Sequence, residues 1–178
     1  LTAGYFSKDA IIEATFAGHN AVHMYAFGMT VFAAFLTSFY SWRLVFMTFH
    51  GTSRADHHTL EHAHESPLVM LLPLIVLAIG ALGAGAVFKH YFIGEGHEAF
   101  WLEAIYRGTS NHIMHAMHEV PEWAARMPTV MMALGFGLSW YFYIARPDLP
   151  VELARTHEPL YKFLLNKWYF DELYDWIF

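Results

Sequence analysis

Lys8 stands in the run GYFSKDAIIE, an amine set among aromatic and aliphatic neighbours. An ammonium placed within an apolar helix costs roughly 2.5–3.5 kcal/mol on insertion scales. Removal from water disfavours the charged form of any amine. An amine so placed can gain and lose a proton near neutral pH, which is the chemistry of a proton relay. Asp9 follows directly but points about 100° away round a helix. Glu13 stands four residues beyond Asp9 and shares its face. Two carboxylates there resist joint ionisation unless one holds a proton or a cation answers them. The plain alternative puts this segment at the headgroups, with the Lys8 stem in the apolar layer and its nitrogen on lipid phosphate.

Other residues rank below these. Arg43, in SFYSWRLVF, lies about two turns from the end of its apolar run, and a structural ion-pair role within a helix bundle is expected of it. His19 and His23 sit near a helix start and titrate in the right range to pass protons. The simpler expectation is a satisfied interfacial histidine. The loop HHTLEHAHE holds His57, His58, His62 and His64. On a helix His58 and His62 could grip a metal from one face, but no glutamate follows the first histidine as a zinc-protease motif requires. A solvated loop is expected, and His112, His115 and His118 are likewise expected at the surface. The chain has no cysteine, which excludes disulfide frameworks, zinc-thiolate sites and iron–sulfur clusters. No metal or cofactor site is expected in it.

These residues must be carried by membrane helices. Of 178 residues 56% are hydrophobic, 18% aromatic and 15% charged, against about 25% charged in a typical globular chain. That is more apolar bulk than a water-exposed domain of this size can hide, so phospholipid must cover much of the surface. Ten Lys and Arg against sixteen Asp and Glu give a net charge of −6, with no basic patch for nucleic acid. Residues 14–42, 66–88 and 127–145 contain no Asp, Glu, Lys or Arg. Spanning helices are therefore expected near 22–48, 67–90 and 123–145.

Residues 1–16 read as the second part of a broken helix, with Gly4 suited to the break. A short interfacial helix is expected around Phe100–Tyr106. After Arg146 a Pro-containing linker leads to LYKFLLNKWYFDELYDWIF, whose aromatic residues and interspersed charges suit an interfacial helix. Pro73 is expected to kink its helix. Gly80, Gly83, Gly85, Gly135 and Gly137 read as small-residue packing surfaces. Leu1 and Phe178 lie inside apolar sequence, which suggests a piece of a longer or split polypeptide. No charged region precedes the first apolar stretch as a signal peptide requires. The loop after residue 50 and the tail after 145 hold Arg54, Arg146, Arg155, Lys162 and Lys167, against Lys89, Arg107 and Arg126 on the other side. The positive-inside rule then puts the tail in the cytoplasm or matrix.

The blocks LTAGYFSKDAIIE, FLTSFYSWRLVFMTFHG, HESPLVMLLPLIVLAIGA and LLNKWYFDELYDWIF, in this order, resemble the subunit L family of bacterial NADH:quinone oxidoreductase (respiratory complex I). Its mitochondrial counterpart is NADH dehydrogenase subunit 5. The resemblance covers nearly the whole chain, with 94–122 the least informative part. It implies an all-α integral membrane fold, an antiporter-like helix bundle of which residues 1–146 form part of the second inverted repeat. Residues 147–178 would be a linker and the start of an amphipathic lateral helix.

The same resemblance implies a proton-translocating role, driven by NADH-to-quinone electron transfer in other subunits, with no redox site or cofactor in this chain. The lysine of the family's SKD block falls on Lys8, which it assigns to the proton path near the outer exit, and the neighbouring aspartate falls on Asp9. Glu13, His23 and Arg43 are secondary candidates. Implied partners are other membrane-arm subunits, including a neighbouring antiporter-like subunit, and the remainder of its own polypeptide. The implied location is the bacterial or mitochondrial inner membrane. The first repeat's glutamate–lysine pair and the central lysine and histidines are absent, so this piece cannot form a complete proton path. A subunit of a multisubunit sodium/proton antiporter, a structural brace of the membrane arm and a metal-responsive membrane protein using the 57–64 loop are the rival readings.

Overall fold

The computed structural model of the chain describes residues 2–53, 55–102, 104–106, 108 and 111–178. Leu1, Arg54 and Arg107, which enter the reading above, lie outside the described residues. The fold is all-α, with no strand among the described residues.

Three helices dominate. They are α2 (His23–Phe49), α4 (Leu68–Phe92) and α7 (Glu122–Trp140), the last continuing as a π-helical turn, Tyr141–Ala145. Each lies over one of the three runs without charge, and each is long and apolar enough to cross a membrane. The 25 residues of α4 rise about 37 Å, against a hydrocarbon core of about 30 Å. At most 17% of the most apolar window of any of them is buried within the protein, so their remaining faces meet lipid or other protein. Before them comes α1 (Ala3–Ala17), whose 15 residues rise about 22 Å, too short to cross alone. Gly4 lies within its first turn and does not interrupt it.

The bundle is built on the hairpin of α1 and α2, joined by residues 18–22. Ile12 and Phe16 of α1 meet Phe27, Val31 and Ala34 of α2, and Ala124, Met127 and Met131 of α7 close the core. The rings of Phe16, Phe27 and Trp123 meet edge-on with centroids 5.1–6.0 Å apart. Antiparallel α1 and α7 are tied by a 2.6 Å hydrogen bond between the Tyr5 and Thr129 hydroxyls. The Ser38 hydroxyl donates across to the Met132 carbonyl at 2.7 Å.

Two glycines set the helix spacings. A Cβ on Gly135 would lie 2.6 Å from the Phe35 carbonyl oxygen, and one on Gly85 would lie 2.6 Å from the Ala3 Cα. Gly80, Gly83 and Gly137, expected to be packing surfaces as well, face open space. Helix α4 continues through Pro73, and α7 through the buried Pro128.

Short helices fill the connections: α3 (His57–Glu61), α5 (His97–Trp101) and α6 (Ile113–Ala116). The chain after Arg146 also differs from the expected linker and single helix. There α8 (Leu149–Thr156) and α9 (Glu158–Leu165) each begin with a proline in the first turn, where its missing N–H costs nothing. A tight turn, Lys167–Tyr169, then separates α9 from α10 (Phe170–Ile177). Lys167, Trp168 and Tyr169 all take left-handed φ values of 52–64°. The bend lets the Trp168 and Tyr169 rings pack against Phe163, at 5.1 and 6.3 Å, covering apolar surface that a straight helix would hold apart.

Candidate functional site

The middle of α1 carries the candidate residues between two cavities. The first, of about 340 Å³, is bordered by Tyr5, Lys8 and Asp9 of α1, by Thr37, Ser38 and Ser41 of α2, and by Pro128 and Met132 of α7. A smaller cavity of about 150 Å³ is bordered by Lys8, Thr30 and Thr37 with apolar neighbours. Lys8 thus faces a row of hydroxyls on α2. Thr37 lies about 21 Å from the start of α2 and about 18 Å from its end, so Lys8 is level with the middle of a spanning helix. That depth is where a lysine is costly and needs polar neighbours. The Lys8 side is exposed in this chain, open to whatever covers that flank of α1.

Asp9 borders the first cavity and also a second one on the other side of α1. This second cavity, of about 190 Å³, is lined by Phe6, Asp9 and Glu13 of α1, Lys89 of α4, Met117 and His118 after α6, and Glu122 of α7. The i, i+4 spacing of Asp9 and Glu13 brings both carboxylates into it, about 5–6 Å apart at Cβ. Asp9 Oδ1 is buried without a hydrogen-bond partner. Lys89 lies within electrostatic reach of both carboxylates, and His118 within reach of Glu13. The Lys89 ammonium also sits 5.3 Å from the centre of the Phe6 ring, a cation–π contact.

The secondary candidates fall elsewhere. His23 holds the Asn20 carbonyl through Nδ1 at 2.7 Å, closing the turn into α2. Arg43 lies on an exposed face, its guanidinium 5.7 Å from the centre of the Tyr143 ring in the π-helical turn. His58 and His62 stack ring on ring at 4.4 Å on an exposed turn. Among the described residues no group of three or more His, Asp or Glu is placed to hold a metal ion.

Sequence reasoning passed over Lys89 and His118. Lys89 reads as a terminal charge three residues from the end of α4. His118 reads as one of three evenly spaced surface histidines. Only the fold of residues 112–120 over α1, with Met117 buried at 3% exposure, separates His118 from His112 and His115.

Comparison with known proteins adds the family. The chain is 41% identical to the NADH-quinone oxidoreductase subunit L of Rhodobacter capsulatus, an alignment covering 99% of this chain and 32% of that protein. It is 33% identical to the NADH-ubiquinone oxidoreductase chain 5 of Phytophthora infestans, over 96% of this chain and 26% of that one. The chain belongs to the subunit L and chain 5 family. The F(420)H(2) dehydrogenase subunit L of Methanosarcina mazei is 33% identical over 97% of this chain and 26% of its own length. The chain therefore spans about a quarter to a third of the length of the curated relatives it matches. No protein-family model matches it.

Proposed function

We propose that this chain forms part of a proton-translocating membrane-arm subunit of a respiratory complex, driven by NADH-to-quinone electron transfer in other polypeptides. The relatives' names speak for the complex: two carry NADH and one carries F(420)H(2) as donor, yet all match this chain over 96–99% of its length. A segment common to complexes with different donors is not the part that recognises the donor. The chain also has no cysteine to ligate an iron–sulfur cluster. These names favour redox drive over the ion-gradient drive of a secondary sodium/proton antiporter.

The observation that carries the proton-path reading is the position of Lys8 and Asp9 at mid-depth of the spanning helices, Lys8 on hydroxyl-bordered space and Asp9 between that space and a charged cavity. Charge changes further along a buried chain of titratable groups drive the ammonium of Lys8 to release its proton. Asp9, next in sequence and bordering both cavities, receives it. Moving each elementary charge against 100 mV costs about 2.3 kcal/mol, so the release must be coupled to a strong source of energy. The tail after residue 145 lies on the cytoplasmic or matrix side, and the 92–122 loop on the outer side, in keeping with the distribution of Lys and Arg. Partners are the rest of the polypeptide and neighbouring membrane-arm subunits.

The test uses the full-length subunit in its assembled complex. Lys8→Met lowers protons translocated per electron pair while subunit content in the membrane holds. An unchanged proton ratio contradicts the proton-path reading.

A further inference from the structure

We infer that Glu13 and His118, with Lys89 as their fixed counter-charge, form the outlet that carries a proton from Asp9 to water at the 92–122 end of the bundle. The inference rests on the proton-path reading of Lys8 and Asp9 and extends it to residues outside the SKD block.

Three features of the second cavity carry it. It begins at Asp9, whose Oδ1 is buried and unpaired, and which alone among the described titratable residues borders both cavities. It ends at His118, which is exposed, while its neighbour Met117 is buried and pins that loop against α1. Helix α4 also ends beside this cavity. Lys89 lies three residues before its end and Ile93 just beyond it, yet both line the cavity beside Asp9 and Glu13. The loop after α4 therefore dips to the level of Glu13, about one turn from Asp9, so the polar distance to the surface is short.

The groups fit a serial transfer. Protonated Asp9 gives its proton to the Glu13 carboxylate. Glu13 passes it to the neutral imidazole of His118, and the imidazolium releases it to bulk water. Asp9 and Glu13 return as carboxylates and His118 returns neutral, so one proton enters and one leaves. Lys89 faces both carboxylates from α4, and a cation there offsets the cost of holding two negative groups in a small space. Among the described residues near this mouth, Glu122 accepts from Arg126 at 2.8 Å, and Glu119 pairs with His115 at 3.6 Å. His90 packs against Gly96 on the other flank of α4.

The experiment uses the assembled complex in sealed vesicles, with electron transfer and proton translocation measured together. Glu13→Gln, Lys89→Gln and His118→Gly each lower the proton ratio as far as Lys8→Met does, because a serial relay needs every one of its stations. Lys89→Arg keeps it, because the charge is retained. Imidazole added on the side facing the 92–122 loop restores the His118→Gly variant, an effect that a purely structural histidine does not give. His115→Gln, outside the cavity, leaves the ratio unchanged. If Asp9→Asn lowers the ratio but the Glu13, Lys89 and His118 variants match wild type, the outlet is wrong and the proton-path reading stands. If Lys8→Met and Asp9→Asn also leave the ratio unchanged, the reading beneath it falls. Should a variant fail to assemble, the imidazole arm decides: no rescue of His118→Gly, which alters only an exposed side chain, overturns the outlet.

Discussion

Asp9 and Lys89 line one cavity from two different helices, while Lys8, next to Asp9 in the chain, opens onto another. One turn of α1 thus separates two polar spaces, and Asp9 is the side chain common to both. This arrangement gives the short charged segment of α1 a direction, from the hydroxyls of α2 toward the end of α4.

The packing that holds α1 in place depends on close helix approach. Gly135→Ala puts a methyl 2.6 Å from the Phe35 carbonyl oxygen and 2.7 Å from Ser38 Cβ, so α7 must move away from α2. Overpacking of this kind costs about 1–3 kcal/mol. Gly137→Ala, two residues on, meets open space within a helix and does not lower stability. Thermal unfolding of the two variants in detergent separates them: Gly135→Ala melts lower, and Gly137→Ala melts at or above wild type.

Ser38 gives a smaller, specific prediction. Its hydroxyl reaches the Met132 carbonyl at 2.7 Å, a bond between two spanning helices. Such bonds average about 0.6 kcal/mol in membrane proteins. Ser38→Ala lowers stability by about that amount, measured in the same unfolding series. A loss as large as that of Gly135→Ala contradicts the assignment.

Outside the membrane, Asp56 caps α3 by accepting from the Thr59 N–H at 2.9 Å. Hydrogen bonds from the Thr59 side chain and then its backbone hold the Asp56 carboxyl below its ordinary range. Because the folded value is depressed, the cap's contribution is present above the unfolded value of about 3.9 and is lost as pH falls through the folded one. The Thr59 amide resonance therefore holds its position from neutral pH down to about 3.9 and shifts only below it. A shift centred at or above that value shows that the cap does not form.

Much of this architecture is legible in the sequence because a bilayer leaves few choices. Charge-free runs of spanning length must be helical, and the three runs carry α2, α4 and α7. The shared face of Asp9 and Glu13 follows from helical periodicity alone. The cavity itself was hidden, because Lys89 and His118 join it through the packing of α4 and residues 112–120 on α1. Nothing local to HIMHAMHE distinguishes His118 from its two neighbours. The bend at Lys167–Tyr169 was hidden for a similar reason. Amphipathic patterning predicts a helix face but not that Trp168 and Tyr169 fold back onto Phe163. Equally, composition does not tell Gly85 and Gly135, which touch backbone, from Gly80, Gly83 and Gly137, which touch nothing.

The central claim is that Lys8 and Asp9 are consecutive stations of a proton path rather than a charged pair resting at the membrane surface. The most direct measurement is the number of protons translocated per electron pair in sealed vesicles bearing the full complex, for wild type, Lys8→Met and Asp9→Asn, with assembled complex quantified in each. The account predicts a lower ratio in both variants at equal complex content. A wild-type ratio in both contradicts it.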